Sequence, residues 1–137
     1  MREHEFFWPI RVYYEDTDAA GVVYYANYLK FMERARTEWL RALGMNQSTL
    51  LAEDAVVFAV RQVEVSYLKP ARYDDDLAVY SSIKRLTPAR MRFAQRIERD
   101  CVLAAGEIEV VCVNAMTFKP VKIPDHILQL LEKSKWI

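Results

Sequence analysis

The chain has 137 residues, with 19 basic side chains balanced by 19 acidic ones. That is the size of one domain able to bury roughly two thirds of its unfolded surface, and it carries no global field that would draw it to nucleic acid or an anionic membrane. Gly21, Gly44 and Gly106 are the only glycines and are too far apart for a phosphate-cradling loop, and no G-x-S-x-G elbow occurs. The two histidines, His4 and His126, lie in different terminal segments and give a zinc site or a Ser-His-Asp relay little to work with. The acid-bearing start MREHEFFWPI and the lack of any apolar run of about 18 residues predict neither a leader nor a membrane insertion. Cys101 and Cys112 have no C-x-x-C spacing and read as buried free thiols of a reducing, cytoplasmic protein.

Along the chain, Phe7, Pro9 or Ile10, Val12 and Tyr14 read as a first strand. The turn-like EDTDAAG follows. From about Ala26 the period changes: Tyr28, Met32, Ala35, Trp39 and Leu43 fall on one helical stripe, widened by Leu29, Phe31, Arg36 and Leu40. Lys30, Glu33, Arg34, Glu38 and Arg41 occupy the other side, with Arg34 and Glu38 spaced for an i,i+4 pair, and Gly44 supplies the stop.

After a polar connection the pattern turns to strands. Val56, Phe58 and Val60 alternate on one parity and Val63, Val65 and Tyr67 on the other, so Arg61 and Gln62 mark a bulge in one long strand ended by Pro70. Leu77, Val79 and Ile83 form a third strand, and Met91, Phe93 and Ile97 a fourth across a Pro88 turn. RDCVLAAGE reads as a turn. Ile108, Val110, Cys112, Met116 and Phe118 then oppose Val111, Val113 and Ala115, a strand apolar on both faces that belongs inside a sheet or under an interface. Pro120 and Pro124 close it, and Asp125 to Trp136 read as a terminal helix with Ile127, Leu130, Leu131 and Lys135 as its stripe. One strand, one long helix and an unbroken meander of four strands make a single α+β domain over residues 1–137, with the helix lying across an antiparallel sheet.

Two readings of the D-T-D loop are open at this level. Aspartates ahead of a helix serve as caps or first-turn charges, worth about 0.5 to 2 kcal/mol. A calcium loop fails, since its fifth position would be Ala20 and its twelfth Asn27. The catalytic reading is that a carboxylate stands beside the free N–H groups of a helix start, which form an oxyanion hole worth about 3 kcal/mol per donor. The carboxylate, sheltered by Tyr14, Tyr24 and Tyr25, would attack a carbonyl or take a proton from water. Acyl transfer to water is the chemistry this suggests.

The run Y-x-x-D-x-D-x-x-G-x-V-Y-Y-x-N-Y from Tyr13 to Tyr28, followed by LKFMERARTEWLRALG, resembles the 4-hydroxybenzoyl-CoA-thioesterase-like branch of the hotdog-fold acyl-CoA thioesterases. The likeness is closest to the bacterial group associated with the Tol-Pal system. It covers essentially the whole chain and implies a hotdog fold, an antiparallel sheet wrapped around one long central helix. It also implies hydrolysis of acyl-CoA with no cofactor and no metal.

Carried over residue by residue, the resemblance makes Asp18 the catalytic carboxylate, as nucleophile or general base, and Asp16 a residue that holds the loop. Tyr25 would offer its backbone N–H to the thioester carbonyl; many relatives have histidine there. Tyr14 and Asn27 line or brace the site, and Gly21 and Val22 contact substrate beside them. CoA phosphates would meet Lys69 and the basic residues around Pro88, namely Arg85, Arg90 and Arg92. The resemblance further implies a homotetramer or dimer in which paired sheets place the thioester at the subunit boundary, with acyl carrier protein as a possible thioester carrier. The rival from another class is a non-hydrolytic module that binds an acyl-CoA or acyl carrier protein, distinguished by saturable binding without turnover. A dehydratase is disfavoured because neither histidine lies near the motif.

Overall fold

The computed structural model describes residues 4–45 and 47–134. Phe6–Arg11 form β1, whose inward side chains are Phe6, Trp8 and Ile10. Phe7 is half exposed, and Tyr14 falls outside the strand in a 3-10 turn, Tyr14–Asp16, so the expected apolar set of this strand is corrected by one residue. With Phe6 and Trp8 on one parity and Phe7 between them on the other, the inner face is ambiguous in sequence.

Asn27–Ala42 form α1, which buries Tyr28, Phe31, Met32, Ala35, Trp39 and Leu40. It lies across β1 and two further strands described below. The Trp39 and Phe93 rings meet edge to face at 5.3 Å, and each fully buried large side chain of this kind contributes about 1.5 to 3 kcal/mol. Gly44 ends the helix with φ +91°, a conformation open to glycine without a Cβ penalty. The expected Arg34–Glu38 pair does not form, because Glu38 accepts from Arg41 at 3.1 Å instead. The polar connection after Gly44 contains a second helix, α2, Gln47–Asp54. It buries only Leu50, so it leaves no apolar stripe in the sequence to reveal it.

The remaining strands are β2, Val56–Tyr67, β3, Asp76–Leu86, β4, Arg90–Glu98, and β5, Val102–Asn114. With β1 they form one antiparallel sheet in the order β1-β3-β4-β5-β2. The bulge expected at Arg61 and Gln62 is present, as a register shift between Val60 and Gln62. The unbroken meander is not: β2 pairs with β5 at the far edge, and residues 68–75 cross the end of the sheet to reach β3. Leu68 N and Lys69 N both donate to Leu103 O on the way, at 2.8 and 3.1 Å. Strand alternation specifies faces and says nothing of which edge a strand joins.

β5 starts earlier than expected, so Val102–Gly106 belong to a strand rather than a turn. Met116 and Phe118 lie beyond its end and are exposed, in a loop where Asn114 Oδ1 accepts from Met116 N and Thr117 N at 2.8 and 3.0 Å. The last helix, α3, spans Asp125–Glu132 and buries Ile127 and Leu131. Leu130 is exposed, and Lys135 and Trp136 lie outside the described residues. Cys112 is buried as expected, whereas Cys101 is partly exposed.

Helix and sheet are also joined by polar contacts. Gln95 Nε2 donates to Met32 O at 3.0 Å and to Ser81 Oγ at 2.8 Å, while Arg36 Nη1 donates to Gln95 Oε1 at 3.0 Å. Burial lowers the Arg36 guanidinium to about 10. The result is the arrangement the resemblance implied, an antiparallel sheet wrapped around one long helix.

Candidate active site

The D-T-D loop leaves β1 through the 3-10 turn and doubles back before α1. Asp16 is the buried member of the pair, 6% exposed. Its Oδ2 accepts from Tyr13 N at 2.8 Å, and its main-chain oxygen accepts from Tyr24 N at 3.0 Å and from Asn27 Nδ2 at 2.8 Å. Asp16 therefore ties together the turn, the loop and the first residue of α1. One of these bonds, from Tyr13 N, reaches the carboxylate itself and offsets part of its desolvation.

Asp18 is exposed. Its Oδ1 accepts from Ala20 N at 2.9 Å, its N–H donates to Val22 O at 3.0 Å, and Gly21 N donates to Asp18 O at 2.9 Å. The turn closes on Gly21 at φ +79°, where a side chain would be strained. These bonds make an Asx-type turn in which one carboxylate oxygen is fixed and Oδ2 meets no protein donor among the described residues. The return strand of the loop is held by Val23 N donating to Ala71 O at 2.8 Å and by single bridges from Val22 to Arg72 and from Thr17 to Val23.

The helix start stands directly after this turn. Ala26 precedes α1 with no side-chain cap, and Asn27 N donates back to Tyr24 O at 2.8 Å. Among the described residues, the N–H groups of Tyr25 and Ala26 donate to no protein acceptor, which leaves positive dipole-end donors open. Tyr24 and Tyr25 pack at 4.9 Å between ring centroids, and both are exposed. The Tyr24 phenol is pushed up, first by its hydrogen bond with Tyr25 and least by the Asp18 charge.

The structure brings Asp18, Gly21, Val22, Tyr25 and Asn27 into this one loop and helix start. Tyr14 is turned outward, 79% exposed, with its ring edge-on to Tyr73 at 6.0 Å. Lys69 is exposed on the crossing segment 68–75. Arg85, Arg90 and Arg92 line a small open cavity of about 100 Å³ with Thr87 and Glu109 at the β3–β4 hairpin. Two of these three arginines are engaged: Arg92 binds Glu107 at 2.5 Å and Glu109 at 3.3 Å, and Arg90 reaches Glu109 at 3.4 Å. Arg85 forms no ion pair among the described residues.

Sequence reasoning missed Tyr67, Ala71 and Tyr73. Ala71 N donates to Tyr28 Oη at 2.9 Å, a bond between residues 43 positions apart that no local pattern could reveal. Among the described residues no group of three His, Cys, Asp or Glu side chains could hold a metal ion, and no helix is long and apolar enough to cross a membrane.

Residues 12–131 match the thioesterase-like superfamily. The chain is 43% identical over 128 residues to the acyl-CoA thioesterase YbgC of Haemophilus influenzae, covering 93% of this chain and 94% of that protein. It is 46% identical over 125 residues to the acyl-CoA thioester hydrolase YbgC of Escherichia coli O6:H1, covering 90% and 92%. The crystal structure of a probable thioesterase from Bartonella henselae superposes with a TM-score of 0.82 at 38% identity, covering 88% of this chain and 99% of that one. Matches of this extent settle the family: the chain belongs to the thioesterase-like superfamily.

Proposed function

We propose that this protein hydrolyses acyl-CoA thioesters to a free acid and CoA. The observation that carries the reading is the pairing of an exposed Asp18 carboxylate, one oxygen fixed by Ala20 N at 2.9 Å, with the open N–H groups at the start of α1. The thioester carbonyl oxygen lies against the Tyr25 N–H, where developing negative charge meets the helix dipole. Gly21 and Val22 keep the backbone close to the thioester, and Asn27 braces the helix start from Asp16.

Asp18 acts in one of two ways. As nucleophile it adds to the carbonyl carbon, the C–S bond breaks, CoA leaves as a thiolate that takes a proton from water, and water then cleaves the mixed anhydride. As general base it takes the proton of the attacking water, and the same C–S bond breaks without a covalent intermediate. A single turnover in ¹⁸O-water tests for the covalent route: an anhydride cleaved by water at its Asp18 carbonyl leaves label in the Asp18 carboxylate and none in the product acid, whereas the general-base route labels the product acid alone.

The pairing of two copies along β2 completes the site. β1, the other sheet edge, is short and contains Pro9, both of which discourage strand addition. β2 runs for 12 residues without proline and exposes Val60 and Val63, 51% and 42%. A second copy joined there continues the sheet and places the thioester at the subunit boundary. Lys69 and the Arg85 to Arg92 hairpin supply positive charge for the CoA phosphates, with Lys69 and Arg85, among the described residues, outside the glutamate pairs that hold Arg90 and Arg92. The reading is tested by CoA release from a panel of acyl-CoAs, wild type against Asp18→Asn. Saturable acyl-CoA binding with no release on any chain length would replace it with the binding-module reading.

A further inference from the structure

Tyr67 is the last residue of β2, and nothing in its sequence context marks it as more than a strand position. Its ring lies against two tyrosines of the helix start at once, 5.9 Å and nearly perpendicular to Tyr25, and 5.5 Å from Tyr28. Tyr25 packs in turn on Tyr24, and the far end of Tyr28 is held by Ala71 N. The four rings form a ladder running from the catalytic loop to the end of the sheet edge.

Tyr25 needs such a hold. It stands two residues before the first helical residue, and its N–H takes no part in the helical hydrogen-bond ladder. The Tyr24 carbonyl in the same peptide plane accepts from Asn27 N at 2.8 Å, so the direction of that N–H depends on this one bond together with whatever grips the Tyr25 side chain. The edge-to-face contact between Tyr25 and Tyr67 adds a directional attraction beyond area burial, which favours one orientation of a short segment over its alternatives. Tyr67 is itself 43% exposed, so filling the core does not account for its placement. Burial, then Tyr25 and Tyr28, push its phenol up, which keeps it neutral and leaves no part for it as a base.

We infer that Tyr67 is a positioning residue of the active site: its ring clamps Tyr25 and holds the Tyr25 N–H on the thioester carbonyl. The inference rests on the hydrolase reading above. It assigns the effect to the aromatic ring and not to the hydroxyl, and it routes the effect through Tyr25.

The test measures kcat and KM for CoA release with Tyr67→Phe, Tyr67→Ala, Tyr67→Leu, Tyr25→Ala and the Tyr25→Ala/Tyr67→Ala double variant, each checked for cooperative melting and for its oligomeric state. Displacing a catalytic group by about 1 Å can cost about 100-fold, so Tyr67→Ala and Tyr67→Leu are expected to lower kcat by roughly tenfold or more while KM stays within about twofold. Tyr67→Phe keeps wild-type kcat, and the double variant is no slower than Tyr25→Ala, as expected for groups acting as one unit. The inference is overturned if Tyr67→Phe is as slow as Tyr67→Ala, if KM alone changes, if the loss persists in the Tyr25→Ala background, or if it tracks dissociation of the oligomer. Absence of CoA release by the wild type on every acyl-CoA is a different failure, that of the hydrolase reading itself.

Discussion

Asn27 Nδ2 lies 2.8 Å from the main-chain oxygen of Asp16, so the first residue of α1 is bonded to the buried aspartate of the loop that precedes it. Tyr24 N donates to the same oxygen at 3.0 Å. The two aspartates of the motif differ in setting: Asp16 is buried and bonded into the loop, whereas Asp18 is exposed with one carboxylate oxygen bonded to Ala20 N.

Asp16→Ala removes the acceptor of Tyr13 N and leaves that part-buried donor unpaired. The expected loss is about 1 to 3 kcal/mol of stability, together with a fall in kcat as the loop carrying Asp18 loosens. Chemical denaturation and CoA release on the same preparation check it. Asp16→Asn keeps an acceptor oxygen and is expected to lose less of both.

Gly106 pairs with Val65 across the β5–β2 ladder. A Cβ there would stand 2.1 Å from Glu64 O and 2.8 Å from the Val65 Cα, and both obstacles are backbone. Gly106→Ala must push β2 away, at a cost of about 1 to 3 kcal/mol or more. Because β2 is the edge along which a second copy would add, the variant is expected to lower both the melting temperature and the oligomer fraction, read by calorimetry and light scattering. An alanine variant with wild-type melting and assembly would contradict this account of the sheet.

Burial raises the Cys112 thiol to about 11. The folded state then holds the Cys112 proton more tightly than the unfolded chain does, so this contribution to stability is whole below the ordinary thiol range and is lost as pH climbs through about 11. Relative to Cys112→Ala, the wild type is expected to lose stability over that window in denaturant titrations. In the native protein near neutral pH, a thiol reagent should modify Cys101 before Cys112.

Much of this was legible in the chain. The α1 stripe from Tyr28 to Trp39, the Gly44 stop and the bulge after Val60 follow from periodicity and from the special conformations of glycine. The unequal roles of Asp16 and Asp18 are implied by the resemblance alone; what the structure adds is that Asp16 is buried and Asp18 exposed. What escaped was non-local. The placement of β2 beyond β5 depends on how residues 68–75 cross the sheet end, and the Tyr25–Tyr67 and Tyr28–Ala71 contacts join residues about 40 positions apart. The α2 helix escaped for a different reason: with Leu50 alone buried, it has no periodic face to read.

The central claim is that Asp18 performs the chemistry at the helix start. Steady-state CoA release from acyl-CoAs of graded chain length, comparing wild type with Asp18→Asn, tests it most directly. The substitution keeps the size of the side chain and an oxygen for Ala20 N, so the loop is expected to persist, while the loss of the carboxylate lowers kcat by about 10²- to 10⁴-fold. Turnover by a folded Asp18→Asn protein at the wild-type rate would contradict the account.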